Sequence, residues 1–507
     1  MKGTDTKAMS RPTGVAELLI GHSVSREEVF SKKVVLTGDR EALATQNGRL
    51  CFLNCLRLLP RLVGHLEVLI PPDLREFEEK VRDLANSVYK TDLLELRYGS
   101  GRIDVSAAAI LSIGFHSQHD LPWIAINSNG WVARVASGGE ELSRDMDQFN
   151  PIGALMAASL GVAEVFKRVY GVPSDVAAPM DKIEFSLYDY TTSPATLGPD
   201  LPASITFPDA LLIGGGAIGS GITLLLSQLN LEGRLHIIDK QAYAVENYGT
   251  CVLLDDSGWI GSSKAECLAG WLNGRSSFHA SSERALIANA RSGEAVKSMN
   301  VDLIFNGLDD VPARHDAQLL WPSVIVDGGI NAIGAGVVTH RLDHPEGACL
   351  RCTFSVSLKD EKGLQSKATG LSRASLASDL GRPLTSADVE QAEEGRRPWL
   401  RARLAEGKTL CATITEAQSE LQLGVELEEG FQPSAPFVAT ASAALMIGEA
   451  LKALVYPEAE YNHSFQLANL FLGPSSSVAS LRRSSPTCDC VTHRSLILEL
   501  ANKRRSA

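Results

Sequence analysis

The sequence predicts an α/β protein of two related halves, and three observations carry that prediction. Residues 210–228, "ALLIGGGAIGSGITLLLSQ", read as a strand, a glycine-rich turn and a helix. Residues 151–167, "PIGALMAASLGVAEVFK", align without gaps to residues 436–452, "PFVATASAALMIGEALK". Between these copies, residues 186–209 are rich in Pro, Ser and Thr with little periodicity, and read as a linker.

The bulk properties fit that outline. A chain of 507 residues is too long for one core and implies two or three domains. Its apolar content of 44% is that of a globular protein. A formal charge of −12 argues against nucleic acid as the main partner, since phosphate backbones need basic surface. The polar start, "MKGTDTKAMSRPTG", has no apolar core and is not expected to be a signal peptide. No apolar stretch is expected to span a membrane; "IGALMAASLGVAEVF" is short and contains Glu164. Nine cysteines spread over so long a chain form no disulfide framework, so a reducing cytoplasmic setting is expected.

Within the repeat, Pro151 matches Pro436, Glu164 matches Glu449 and Lys167 matches Lys452. Both segments are Ala-rich helices opening on Pro, which a first helical turn tolerates. Their small residues predict close helix packing. Upstream, "LPWIAIN" (121–127) resembles "WPSVIVD" (321–327), each a buried strand. Two matched elements in the same order indicate common architecture. The halves also differ. "KKVVLTGDREALATQNGRL" (32–50) begins as a strand but has no glycine-rich turn. About 20 residues separate the last strand from the repeat helix in the first half, and about 100 in the second. The expected division is therefore a degenerate domain at 20–185 and a linker at 186–208. A second domain at 209–485 comes next, with an insertion at about 355–432, and then a tail at 486–507 bearing C-x-C.

Gly214, Gly216 and Gly219 fit G-x-G-x-x-G. Such a turn brings backbone close to phosphate and aims free helix N–H groups at the anion. "LHIIDKQ" supplies a second strand ending at Asp239, an acid placed to bond ribose hydroxyls. These residues signal a Rossmann-like nucleotide site, and by themselves favour NAD. The chain beyond Asp239 shifts the balance. "VENYG" brings Asn247, "GSSKAE" brings Lys264, and "VDLIFNGLDDVPAR" ends a third strand near Asp309, Asp310 and Arg314. An ATP-consuming enzyme needs a cation for the phosphates and a carboxylate for Mg²⁺; a dehydrogenase needs neither there.

These motifs resemble the adenylating domain shared by ubiquitin-activating enzymes and the bacterial activators of sulfur-carrier proteins for thiamine and molybdopterin synthesis. "LLIGGGAIGSGI" is similar to that family's phosphate loop, "IIDKQAYAVENYG" to its ribose acid and following Asn, and "GSSKAE" to its lysine segment. "GLDDVPAR" is similar to its Asp-Asn-x-x-x-Arg element, "DGGINAIGAGVV" to its next strand pair, and "GACLRC" to its first zinc cysteine pair. The likeness covers about 210–355 and the helix at 436–452. Two departures stand out: Gln241 replaces an Asp, and Thr250 replaces an Arg that helps bind triphosphate. Arg26, Arg11 or Lys240 are the candidates to replace that cation. The family works in pairs of adenylating domains, so the resemblance makes the first half an inactive partner and the second the active copy with a cysteine-bearing insertion.

Cys349 and Cys352 form C-x-x-C, and Cys488 and Cys490 form C-x-C near His493. Four thiolates are expected to make a structural Zn²⁺ site, with His493 as an alternative ligand. Cys411, in "GKTLCATITEAQ", is the cysteine of the insertion, with Thr413 behind it and Lys408 near enough to lower its pKa. Family members that transfer protein tags carry a nucleophilic cysteine in this region, so the resemblance makes Cys411 the candidate nucleophile. Cys51, Cys55, Cys251 and Cys267 read as core, as do Trp259 and Trp271; Asp255, Asp256 and Asp310 read as capping or solvated.

The resemblance implies ATP-dependent activation of a ubiquitin-like protein ending in Gly, with ATP, Mg²⁺ and structural Zn²⁺. Gly214, Gly216 and Gly219 would cradle phosphate, Asp239 the ribose, Asn247 and Lys264 the phosphates, and Asp309 the Mg²⁺. Cys411 would take the acyl group and pass it to a conjugating enzyme, which would dock on the first domain or the insertion. The expected partners exclude nucleic acid and membrane, and the internal pseudo-dimer can act as a monomer. By analogy the chain resembles stand-alone bacterial ubiquitin-like systems, some tied to antiviral defence. The alternatives are adenylation of a sulfur carrier or peptide without a thioester, a non-catalytic scaffold motivated by Thr250 and Gln241, and, last, NAD-dependent oxidoreduction.

Overall fold

The computed structural model describes residues 10–88, 95–99, 103, 106–116, 121–255, 258–354, 365–366, 368–376, 381–410, 412–414, 416–417 and 433–505. The chain divides into a large unit, residues 1–353 with 433–507, and a small unit, Phe354–Gln432.

Runs of β-branched and aliphatic residues build two sheets in the large unit. The first holds β1 (Lys33–Gly38), β2 (His65–Leu69), β3 (Glu95–Gly99), β4 (Ala109–Ile113), β5 (Trp123–Asn129), β6 (Val132–Ser137) and β7 (Lys182–Ser186). Its order is β3-β2-β1-β4-β5-β6-β7, with β3 through β5 parallel and the last two antiparallel. The second half opens with β8 (Ile205–Thr206), β9 (Ala210–Ile213), β10 (Leu231–Glu232), β11 (Arg234–Ile238) and β12 (His279–Glu283). It continues with β13 (Leu303–Asn306), β14 (Val324–Ile330), β15 (Ala335–Arg341), β16 (Ser464–Leu467) and β17 (Ser477–Ser480). Strands β8 and β10 pair separately; the rest run β12-β11-β9-β13-β14-β15-β16-β17, parallel through β14 and antiparallel beyond it. Numbered from the first strand of each half, both sheets read 3-2-1-4-5-6-7, and the second adds one edge strand. The central parallel strands are buried on both faces, which is why they are continuous apolar runs.

The two repeat helices occupy the same place in both orders, before the seventh strand. Pro151–Tyr170 begins with Asn150, whose side chain accepts from Ile152 N at 2.9 Å, and ends at Gly171 with φ 72°. Pro436–Val455 begins on Pro without a side-chain cap. They pack on each other across the halves. Ser159 and Thr440 hydroxyls meet at 2.8 Å, and Phe166, late in one helix, packs on Phe437, early in the other. The helices therefore run antiparallel. The helix Ala217–Gln228 also lies close, because Gly221 leaves room for the Ala443 methyl. The small residues thus serve close packing, as the sequence predicts. Pro436–Val455 is long and apolar enough to cross a membrane, with mean hydropathy 1.5, which corrects the expectation that no stretch reaches that length; here it is a buried core helix.

Each repeat helix carries the same buried ion pair. Glu164 pairs with Lys167, and Glu449 with Lys452 at 2.5 Å. Lys167 also donates to Phe471 O (2.9 Å), beyond β16, and Lys452 donates to Tyr188 O (3.1 Å), beyond β7. Each lysine thus reaches the other half's turn after its seventh strand. Buried charges persist only when paired and bonded this way.

The small unit has its own apolar core of Leu371, Leu376, Leu384, Val389, Leu400, Leu410 and Ile414. Its helices include Ser386–Glu390, capped by Thr385, and Arg397–Ala405.

Candidate nucleotide site and cysteine centre

The glycine turn follows β9 at the carboxyl end of the sheet, where open α/β sheets bind ligands. Gly214 has φ +95°, a conformation that favours glycine. A Cβ on Gly219 would lie 2.1 Å from Gly214 O, so that position also requires glycine. At Gly216 a Cβ would meet nothing within 4 Å, so this is the open side of the turn. The helix Ala217–Gln228 starts here with no side-chain cap, and its first N–H groups face that opening.

Asp239, at the end of β11, accepts from Gly215 N at 2.6 Å and from Gln241 N at 2.7 Å. Lys264, buried in the first turn of the helix Lys264–Asn273, donates to Gln241 Oε1 at 2.7 Å and lies 5.9 Å from the Tyr243 ring centre. The Tyr243 hydroxyl donates to Gly215 O at 3.2 Å. Gly215, Asp239, Gln241, Tyr243 and Lys264 therefore form one connected set. Asn247 stands in the turn Val245–Gly249, its Oδ1 accepting from Ala244 N at 2.9 Å. Asp309 is exposed just beyond β13, whose neighbour Gly307 N bonds Ile213 O at 2.8 Å beside the glycine turn. Asp310 caps the helix Val311–Gln318 by accepting from Ala313 N, as its sequence context indicates.

Two parts of this site escape sequence reading. Gln241 looks like a departure, yet it is the acceptor that holds Lys264. Behind the site, Asp327 is fully buried and accepts from Arg314 Nε at 3.0 and 3.1 Å and from Asn306 Nδ2 at 2.5 Å. Burial pushes its carboxyl up to about 6, against the pull of Arg314 and Asn306. The signal is present in "GLDDVPAR" and "WPSVIVD", but only pairing β13 with β14 brings those segments together.

Thr250 is buried, its hydroxyl 4.0 Å from the Cys251 thiol. The helix that carries Arg11, Ser10–Ile20, packs against the turn Val245–Gly249 that precedes Thr250. Burial raises the Cys251 thiol, while Lys264 and Arg11 pull it down. Arg11 Nε is buried without a hydrogen-bond partner among the described residues. Arg26 acts on Tyr170 instead, and Lys240 is exposed.

The four cysteines converge although 138 residues separate Cys352 from Cys490. Cys349 Sγ lies 3.7 Å from Cys352 and 3.6 Å from Cys488, and Cys352 lies 3.6 Å from Cys490. All four sulfurs fall within 4.8 Å of one another. A tetrahedron of sulfurs each ~2.3 Å from a zinc ion has edges of about 3.8 Å, so the set fits that ion. Ser485 N donates to Cys352 Sγ at 3.3 Å, which favours a thiolate. The bond to Cys490 and burial raise Cys349, while Cys490 is lowered to about 5 by its bond to Cys349. His493 does not join the set; it is exposed and pairs with Asp489 at 3.4 Å.

Residues 190–490 match the ThiF family. The chain belongs to the ThiF family of adenylating proteins. Residues 33–187 match the BilD N-terminal domain. An uncharacterized protein of Sinorhizobium fredii, y4jF, is 26% identical over 424 residues, covering 81% of this chain and 72% of its own. Among solved structures, E. coli MccB with ATP is 13% identical at TM-score 0.36, covering 56% of this chain and 67% of MccB. MccB in complex with N-formylated MccA is similar to the same degree, 13% identical at TM-score 0.35, covering 56% and 67%.

The BilD-type half of this ThiF-family protein shows why it lacks a phosphate turn. β1 ends at Gly38 and the chain continues Asp39-Arg40, where Asp39 Oδ2 accepts from Phe115 N at 3.0 Å. A carboxylate therefore stands where the second half opens its glycine turn, and would repel phosphate. Nearby, Asn127 Nδ2 donates to Gly114 O and Ser143 O, and Arg134 Nη1 donates to Asp145 O, so the strand ends are closed by the chain itself.

Cys411 lies outside the described residues, as does Asp256. Around Cys411, Thr413 is buried and donates to Thr409 O at 2.9 Å. Lys408 pairs with Glu416 at 2.7 Å and Glu406 at 3.1 Å, so its charge is already countered by two carboxylates.

Proposed function

We propose that this ThiF-family protein activates a ubiquitin-like protein. It adenylates that protein's C-terminal glycine carboxylate, takes the acyl group on Cys411 as a thioester, and passes it to a conjugating enzyme. The observation that carries this reading is the bonded set of Lys264, Gln241, Asp239 and Gly215 at the open side of the glycine turn: a cation and an acid where triphosphate and ribose would lie. The BilD-type first half supports a ubiquitin-like substrate over other carboxylates.

The residues present suit ATP. Gly214, Gly216 and Gly219 shape the turn, and the first N–H groups of its helix meet phosphate. Asp239 keeps acceptor capacity for ribose hydroxyls beyond its two backbone bonds. Lys264 and Asn247 reach phosphates, and Arg11 supplies the cation that Thr250 lacks. Asp309, exposed beside the turn, would hold Mg²⁺ together with phosphate oxygens and water, a donor set usual for that ion. Bound there, Mg²⁺ would neutralise phosphate charge. The tag's carboxylate oxygen attacks the α-phosphorus, the bond to the bridging oxygen breaks, and pyrophosphate leaves with the electron pair. The Cys411 thiolate then attacks the acyl carbon and AMP leaves, the thiol proton passing to solvent. Cys349, Cys352, Cys488 and Cys490 would hold structural zinc. The first half serves as the inactive copy, so one chain provides the pair of adenylating folds.

ATP–pyrophosphate exchange with small candidate tags tests the reading. Exchange that needs the tag's terminal Gly is expected. With C411A, exchange should persist while the thiol-sensitive conjugate disappears. Unchanged tag transfer by C411A would overturn the thioester step and leave adenylation alone. Failure of the wild type to bind Mg-ATP would make the protein a scaffold.

A further inference from the structure

We infer that Arg61, in the half without a phosphate turn, is the positioning residue that holds the phosphate-side segment of the other half's nucleotide site. The segment's role rests on the adenylating function proposed for the second half; its geometry does not.

Arg61 follows the first long helix of the first half, Gln46–Leu58, and is fully buried. Its guanidinium faces the second half. Nη1 donates to Tyr248 O at 2.6 Å, and Nη2 donates to Val252 O at 3.0 Å and Leu254 O at 2.8 Å. Nε is anchored at home on Arg57 O at 3.1 Å. One side chain thus gathers three carbonyls from seven consecutive residues, 248–254. Residues 250–254 belong to no strand ladder; turn bonds such as Leu254 N to Cys251 O at 3.0 Å shape them locally, and the guanidinium ties the segment's carbonyls to the first half. The planar fork suits this task, because its donors diverge in fixed directions.

Asn247 immediately precedes the segment held this way, and Thr250 lies near its start. Its other face is tied to the glycine-turn helix, where Val252 N donates to Ser220 Oγ at 3.1 Å. It therefore lies between the phosphate turn and Arg61. Arg57, one turn earlier, places its guanidinium 5.9 Å from the Trp271 ring centre, on the helix that begins at Lys264. The first half braces both pieces of chain that bring Asn247 and Lys264 to the site. This gives the BilD-type half a function that requires no nucleotide of its own: the second half's site has its shape only with the first half in place.

The test uses the full chain with R61Q and R61K. The first readout is the rate at which Cys251, buried in the held segment, reacts with a maleimide, followed by peptide mass spectrometry. Cys51 and Cys55, buried in the first half's core, report global opening in the same sample. The second readout is the dissociation constant for Mg-ATP. In R61Q, Cys251 should react at least about tenfold faster with Cys51 and Cys55 unchanged, and Mg-ATP should bind at least about tenfold more weakly. R61K, which keeps the charge but not the fork, should fall between. Unchanged Cys251 labelling would overturn the inference; so would equal acceleration of all three cysteines, which would make Arg61 a residue of general stability. A wild type that fails to bind Mg-ATP would sink the adenylating function, while the labelling alone would still decide whether Arg61 holds the segment.

Discussion

The two halves share one strand order and part company at the end of their first strands. In the second half β9 runs into Gly214, with positive φ, and then into an uncapped helix whose open side is bordered by Asp239 and Lys264. In the first half β1 runs into Asp39, whose carboxylate bonds Phe115 N and occupies the matching place. The helices that join the halves show the opposite pattern. Glu164–Lys167 and Glu449–Lys452 are repeated in kind and position, and each lysine crosses to the other half. A binding site is lost by changing two or three residues at a loop. An interface buried on both sides is not released so easily, because each buried charge needs its partner.

Four measurements sharpen or break this contrast. Gly219→Val should have the largest effect, because a Cβ there would lie 2.1 Å from Gly214 O; Mg-ATP binding and exchange should fall by at least about 100-fold. Asp309→Asn should come next. Exchange should fall by on the order of 10²-fold, while stability stays within about 0.5 kcal/mol because the side chain is exposed. Denaturant melts of Glu164→Gln and Glu449→Gln should each show a loss of about 3–5 kcal/mol. A clear inequality between them would show that the halves match in geometry but not in energy. The smallest effect belongs to Asp39→Gly. Titration should still give one nucleotide per chain, because Asn127 and Arg134 keep the first half's strand ends closed; a second bound nucleotide would break the comparison.

Legibility in the sequence tracks how local each feature is. Gly214, Gly216, Gly219, Asp239 and Lys264 sit at the ends of elements that one short window defines. The repeat is visible because the matched helices must bury the same small residues and the same ion pair. The two cysteine pairs are visible, but not that C-x-C closes on C-x-x-C with sulfur spacings of 3.6 Å while His493 stays outside. Gln241 reads as a missing acid because its meaning lies in the distance to Lys264. Arg61 gives no signal at all: nothing in a lone arginine after a helix announces three carbonyls about 190 residues away.

The sequence by itself determined the α/β class, the paired halves, the phosphate-type turn and the residues around its mouth. Glycine positions, apolar runs and helix starts are constraints on neighbouring residues, and neighbouring residues are what a sequence displays. Tertiary structure alone decided that the half without a turn braces the half with one, and that the helix bearing Arg11 packs on the turn before Thr250. Those outcomes depend on where buried polar groups find partners across the interface, and chain order does not contain that pairing.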